Sequence, residues 1–459
     1  MASSWVPAAF RALTKWTAAV AGCAALFAAP TPAAAQSVIR DAEIEQTLRD
    51  YGTPLWRAAG LDPASVQVVI VNDPTLNAFV TNGQNIFIHT GLILKAKNAN
   101  QLKGVMAHET GHIAGGHLAR SDDAMGKAMR PALVSIGLGI LAMAAGAPDA
   151  GAALITGAPQ FAMASMVRFS QVQEAAADQA GLSFLEESGQ SGEGLLQFFE
   201  NFRYEEVMSD ARRSPYFRTH PLSSDRIQAL RVRVEAAPHR AAVDTPEDAK
   251  RFAMMQAKLF GFIETPQRTF SKYPDTDQSM PARYARAVAA YRIPDINRAV
   301  REVSALVQAD PRNPYFEELY GQILFENGKA ADAVPHDRKA LALKPGDPLL
   351  LINLARSLNG VGTPEAAQEA IKLLQASVSL EPDNPYAWRE MASAYDAIGQ
   401  DGMARLASAE QCFSMGDYPR ALNFAQRAKK TLPEGTASWR RASDIAMVAE
   451  SETRGRRHS

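Results

Sequence analysis

The chain has 459 residues, too many for one ordinary domain and about right for two or three. It is 47% hydrophobic and 21% charged, the balance of a globular protein with a sizeable core. Its 48 basic and 49 acidic side chains leave a formal net charge of −1, and no stretch interleaves basic with aromatic residues, so a nucleic-acid-binding role is excluded.

Residues 1–35 differ from the rest. Arg11 and Lys15 precede an apolar run from Trp16 to Ala29, and Ala33, Ala34 and Ala35 precede Gln36. A positive start, a short apolar centre and a small-residue cleavage site make a secretory signal peptide. The run holds 14 residues, too few to span a bilayer comfortably. Val20-Ala21-Gly22-Cys23 resembles a lipobox, so lipid anchoring through Cys23 is the alternative. If Cys23 leaves with the leader, Cys412 is the only thiol, which excludes an internal disulfide and a cysteine metal site.

Asp41 to Gly60 is helical in pattern, interrupted at Pro54. Val66 to Val71 is a β-branched strand closed by Asn72-Asp73-Pro74; Asn82-Gly83 is a turn, and Asn85 to His89 a second strand. Gly91 to Lys97 reads as a short helix, and Asn98 or Asn100 caps a longer one from about Gln101 to Ala119. Residues 131–167 are the most apolar part of the mature chain, broken by glycines and prolines before any span reaches transmembrane length. They make a helical hairpin, either buried in the core or displayed toward a membrane or greasy clients. Helices follow at Ser170–Glu187 and Gly194–Met208, then extended chain from Ser214 to Pro221. Ser223 or Ser224 caps a helix to about Ala236, and another runs from Asp248 to Ile263.

Beyond Pro281 the texture changes. Asp310-Pro311, Lys344-Pro345 and Glu381-Pro382 punctuate paired helical segments at spacings of 34 and 37 residues, each with a second proline three residues on: Pro314, Pro348 and Pro385. A period near 34 with helix-turn-helix units resembles tetratricopeptide repeats, each burying its apolar face only against its neighbours. The expected organisation is a leader at 1–35, a first domain at 36–265, a joint at 266–280, repeats at 281–449 and a disordered charged tail at 450–459.

His108-Glu109-Thr110-Gly111-His112 is an HExxH motif. On a helix its two histidines lie about 40° apart on one face, so both imidazoles can grip one ion while Glu109 sits beside it as a base. A zinc site of this kind needs a third ligand and an open position. His117 could serve only if the helix broke at Gly115-Gly116, and Leu118 stands where the metzincin pattern has its third histidine. Glu174 is the better candidate: it shares a helix face with Asp178, which would accept the free N–H of a ligating histidine. Two imidazoles and one carboxylate suit zinc best.

Asn77-Ala78-Phe79, Gly91-Leu92, the HExxH run, Glu174 with Ala177-Asp178, and Thr219-His220-Pro221 through Arg226 together resemble the M48 peptidases. Their exported bacterial branch joins such a domain to tetratricopeptide repeats. One departure is Gln171, where that family often has an arginine. The resemblance implies a mainly α fold with a small sheet, a gluzincin-like metallopeptidase domain followed by a helical solenoid. It implies one zinc held by His108, His112 and Glu174, and Glu109 as general base. It also implies oxyanion stabilisation by His220 and Arg226, and Asn77 at the cleft. His220 further looks like a gate on the fourth zinc position. The implied setting is the periplasm, the implied substrates misfolded or stalled exported and outer-membrane proteins, and the implied partner of the repeats the outer-membrane assembly machinery. Peptides are expected to add as a strand beside Asn85–His89. The rival reading is a chaperone or assembly scaffold with a latent or silent zinc site.

Overall fold

The structure, a computed structural model, describes residues 37–455 apart from 82, 118, 121–130, 132, 137, 139, 141–142, 144–147, 204–215, 217–218 and 294. The expected leader and the Cys23 alternative lie outside the described residues.

Helix α1 (Ala42–Ala58) starts where the Asp41 carboxylate accepts the backbone N–H groups of Glu43 and Ile44. It continues through Pro54 instead of breaking there. Leu48, Leu55 and Trp56 are fully buried on its inner face, and that burial outweighs the roughly 3 kcal/mol cost of an internal proline.

Four strands make the sheet: β1 (Val38–Ile39), β2 (Gln67–Val71), β3 (Ala78–Thr81) and β4 (Asn85–His89), in the order β1-β2-β4-β3. β4 pairs parallel with β2 and antiparallel with β3, so both of its edges are used. The strand expected to receive a peptide, Asn85–His89, is therefore interior. β3 carries the free edge on that side of the sheet, among the described strands. The turn between β3 and β4 uses Gly83 at φ +91°, a conformation that glycine adopts without penalty.

Helix α2 (Thr90–Lys95) leads to α3 (Ala99–Ala114), which Asn98 caps by accepting Gln101 N–H at 2.8 Å. Every residue of α3 from Gln101 to His112 is buried. It lies beneath α4 (Pro148–Glu187) and α5 (Glu193–Phe202), and its glycines set the distances. A Cβ on Gly111 would stand 2.6 Å from the Ala177 carbonyl oxygen, and one on Gly104 would stand 2.7 Å from Leu195 N. The small residue inside the HExxH run thus lets α4 approach the histidines. Helices α6 (Ser224–Ala236), capped by Ser223, and α7 (Pro246–Ile263) complete the core.

Most described side chains of the apolar stretch are exposed, not core. Leu133 (61% exposed), Val134, Leu138, Ile140, Met143, Met163 (68% exposed) and Val167 all face outward. Among the described residues no helix is long and apolar enough to cross a membrane.

From Pro266 to Gly455 the described residues are all helix and turns, and the joint expected at 266–280 carries a helix at Pro266–Lys272. Pro314–Glu326 packs on Ala330–Leu343, Pro348–Val361 on Pro364–Leu380, Pro385–Ala397 on Asp401–Ser414, and Tyr418–Lys429 on Ala437–Gly455. Pro314, Pro348 and Pro385 open their helices, where the missing N–H costs nothing, behind the capping side chains Asn313, Asp347 and Asn384. The last helix runs to Gly455, so the segment expected to be a disordered tail from Glu450 is helical that far; residues 456–459 lie outside the described ones. A buried ionic cluster ties this arm to the first domain. Lys258 Nζ lies 2.7 Å from Asp41 Oδ2 and 3.4 Å from Glu43 Oε2, and Tyr284 donates to Glu43 at 2.6 Å. Arg40 reaches Glu381 at 2.8 Å.

Candidate active site

The α3–α4 crossing brings the HExxH face against Glu174. His108 Nε2 lies 3.2 Å from His112 Nε2 and 3.4 Å from Glu174 Oε2, and His112 Nε2 lies 3.3 Å from Glu174 Oε1. His220 joins them from the turn before α6: its Nδ1 stands 3.3 Å from His108 Nε2 and 3.1 Å from Glu174 Oε1. All four side chains are buried, and one donor atom from each falls within 4.8 Å of every other.

These spacings test the fit to zinc. Zinc–nitrogen bonds of about 2.0–2.1 Å set ligand-to-ligand tetrahedron edges of roughly 3.3–3.4 Å. Five of the six separations among His108, His112, Glu174 and His220 are 3.1–3.4 Å, and the sixth, His112 to His220, lies within 4.8 Å. The donor set, three imidazoles and one carboxylate, also suits a borderline-soft divalent ion. His108, His112, Glu174 and His220 therefore form a group able to hold one metal ion.

The surroundings orient each member. His108 Nδ1 meets Asp178 Oδ1 at 2.9 Å, the contact expected of an acceptor that fixes a ligating imidazole. Asp178 is clamped in turn by Arg226, through Nε at 2.7 Å and Nη2 at 2.8 Å. Arg226 Nη1 lies 3.1 Å from Glu174 Oε2 and donates to the Pro221 carbonyl at 2.5 Å. Its guanidinium is thus turned to the two acids and the chain before α6, where the family resemblance had implied an oxyanion donor. Phe199 packs on both His108 and Arg226. Tyr216 stacks on His220, with ring centroids 4.8 Å apart. The spacing of Tyr216 four residues before His220 was the one sequence signal for that contact.

Burial favours neutral forms here, and the partners override it at Glu174, His108 and Asp178 but not at His112. For Glu174 burial pulls upward, but the His220 charge and hydrogen bonds from His108, His112 and His220 hold it well below the usual carboxylate range. Burial would lower His108, yet Asp178 and Glu174 push it up to about 10, a proton that a bound cation would displace. Asp178, raised by burial, is brought below its ordinary value by His108 and Arg226. Burial lowers His112.

Glu109 is fully buried, and among the described residues neither of its carboxylate oxygens has a hydrogen-bond partner; His220 Nε2 approaches Oε1 to 3.7 Å. A buried carboxylate without donors is costly unless a cation or a proton-bearing group shares its space. Asn77 is buried just before the edge strand β3, with Oδ1 unpartnered and its carbonyl accepting His89 N–H at 3.0 Å. No described contact joins Asn77 to the four-residue cluster. His117, expected to be a ligand only on a helix break, does follow such a break. It meets His112 Nδ1 instead of the cluster.

Residues 40–234 match the model of peptidase family M48. The chain is 27% identical over 407 residues to the beta-barrel assembly-enhancing protease of Escherichia coli (strain K12), covering 87% of this chain and 81% of that protein. It is 24% identical over 420 residues to a putative beta-barrel assembly-enhancing protease of Vibrio cholerae, covering 87% and 83%. Metalloprotease LoiP of Escherichia coli shares 27% identity over 202 residues, 43% of this chain and 73% of that one. Residues 40–234 thus carry a peptidase family M48 domain, and with the buried group of His108, His112, Glu174 and His220 the chain is a zinc-dependent metalloprotease.

Proposed function

We propose that the chain is a periplasmic endopeptidase that hydrolyses misfolded or stalled exported and outer-membrane proteins, and that it rests in a latent form. The carrying observation is the buried convergence of His108, His112, Glu174 and His220, with Glu109 beside them and without a hydrogen-bond partner among the described residues. Zinc, when bound, polarises a carbonyl and lowers the pKa of its water toward about 7. Glu109 accepts the proton of the attacking water and passes it to the leaving amine. Asp178 holds His108 in the tautomer that frees Nε2, and Arg226 holds Asp178 and Glu174 in place. His220, displaced from the cluster, donates to the oxyanion; Arg226 positions the acids. An extended client adds along β3, whose outer edge is free among the described strands. Such pairing reads backbone more than sequence and favours unfolded chains. The names of the relatives from Escherichia coli and Vibrio cholerae support outer-membrane proteins as clients, and the helical-repeat arm suits the holding of clients or of the assembly machinery.

The outward apolar set supports a second contact, with a lipid surface. Between Pro131 and Val167 the only charged side chain is Asp149, while Arg120, Lys127, Arg130 and Arg168 outnumber Asp122 and Asp123 in the flanking sequence. Apolar surface with basic margins suits an anionic bilayer face. The protein is expected to co-sediment with anionic vesicles, and Leu138→Asp with Ile140→Asp to reduce that several-fold. Equal sedimentation of the double variant would remove the membrane from this reading.

Metal analysis tests the central claim. Purified wild-type protein is expected to carry one zinc ion per chain and His112→Ala almost none. Chelation of the wild type should lower its melting temperature, because Glu174 and His108 then lose the ion that joins them. Zinc-free wild type after incubation with excess metal would overturn the reading.

A further inference from the structure

Helix α3 ends at Ala114 with Gly115 as its C-cap, and Gly116 at φ +60° turns the chain back over it. That reversal brings His117 onto the last turn of the helix, where it is buried. Its Nδ1 lies 2.9 Å from His112 Nδ1, with the rings 4.9 Å apart and nearly perpendicular. A Cβ at position 115 would stand 2.4 Å from His117 Nε2, so the glycine leaves room for this ring. Gln173, next to Glu174 on α4, donates to the His117 carbonyl at 3.2 Å. The turn is thus fastened both to the second histidine of the motif and to the helix that supplies the carboxylate.

We infer that His117 is a positioning residue for the metal site, the acceptor that fixes the tautomer of His112 as Asp178 fixes that of His108. Two ring nitrogens at hydrogen-bond distance share one proton. His112 must offer the Nε2 lone pair to the ion, so its proton sits on Nδ1 and points at His117. His117 then accepts through Nδ1 and carries its own proton on Nε2. The inference rests on the zinc reading of the cluster.

Charge explains why an imidazole and not a second carboxylate stands here. Glu109, Glu174 and Asp178 bring three buried negative charges, and Arg226 one positive charge. A divalent cation closes that account to zero. A carboxylate at 117 would add a fourth negative charge beside the ligands, with the exposed Arg120 as a nearby counter-charge, and burial penalises such a charge. A neutral acceptor orients His112 without adding it.

The test compares the wild type with His117→Ala and His117→Asn, whose amide oxygen falls near the place of Nδ1. Zinc affinity is read by competition with a chromogenic chelator, beside melting temperature. His117→Ala is expected to weaken zinc binding about 10- to 100-fold, and His117→Asn to restore most of it. Long-range proton–nitrogen spectra of zinc-loaded protein labelled with ¹⁵N-histidine should show the His112 proton on Nδ1. Wild-type affinity in folded His117→Ala, equal losses in Ala and Asn variants, or a His112 ring bound through Nδ1 each overturns the assignment. If His117→Ala does not fold, the wild-type spectrum and the Asn variant decide. Absence of zinc binding by the wild type would instead strike the metallopeptidase reading itself, and this one with it.

Discussion

Glu109→Gln is expected to remove peptidase activity, by roughly 10²- to 10⁴-fold, the usual loss for a general base. The amide keeps the shape of the side chain but cannot take a proton from water. Zinc content should stay at the wild-type level, since neither Glu109 oxygen belongs to the four-atom cluster. The melting temperature should be no lower than that of the wild type. The substitution deletes a fully buried charge that no donor among the described residues satisfies, and such a charge costs stability. The measurement is release of fluorescent peptides from an unfolded, labelled casein, made in the native background and again with His220→Ala. Equal hydrolysis by the Glu109→Gln chain and its parent would end the role of Glu109. A loss of zinc in parallel with activity would make the residue structural.

What the sequence disclosed follows from how local the cause is. His108, Glu109 and His112 were legible because a helix places residues four apart on one face. Glu174 and Asp178 were legible for the same reason, four apart on a second helix with apolar sequence before them. The prolines at 314, 348 and 385 marked helix starts because proline is tolerated there. The strands β1 and β3 were missed: with two and four residues they hold too few alternations for a pattern. That omission also misplaced the sheet edge by one strand, since only pairing decides which strand is interior. Residues 131–167 left two readings open because a buried hairpin and a displayed one share a composition. The aim of Arg226 toward Asp178 and Glu174 was equally hidden, for a guanidinium reaches several partners from one backbone position. His117 is the intermediate case. Gly115-Gly116 announced the helix break, but nothing in the spacing said that the ring would turn back onto His112.

His220→Ala is expected to raise hydrolysis of unfolded protein well above the wild type, by about tenfold or more if the resting enzyme is fully closed. His220 Nδ1 occupies the fourth corner of the cluster, 3.1 Å from Glu174 and 3.3 Å from His108. A catalytic zinc site keeps that position open for water or substrate. Removing the imidazole clears it at once. Tyr216 then loses its stacking partner, and Glu109 gains the space into which His220 Nε2 now points at 3.7 Å. The same side chain is also proposed to steady the oxyanion, so two effects oppose each other. Opening acts on the fraction of molecules that can bind substrate. Loss of an oxyanion donor acts on turnover and costs roughly 10²- to 10³-fold when that donor is essential. The balance is measurable by separating the two: His220→Ala should lower KM and raise the titratable active fraction, while kcat per open site falls. His220→Asn, short and still a donor, should recover part of kcat without closing the site. A folded, zinc-loaded His220→Ala chain no more active than Glu109→Gln, with no gain in active fraction, would leave the zinc cluster to a scaffold or chaperone and remove the latent protease.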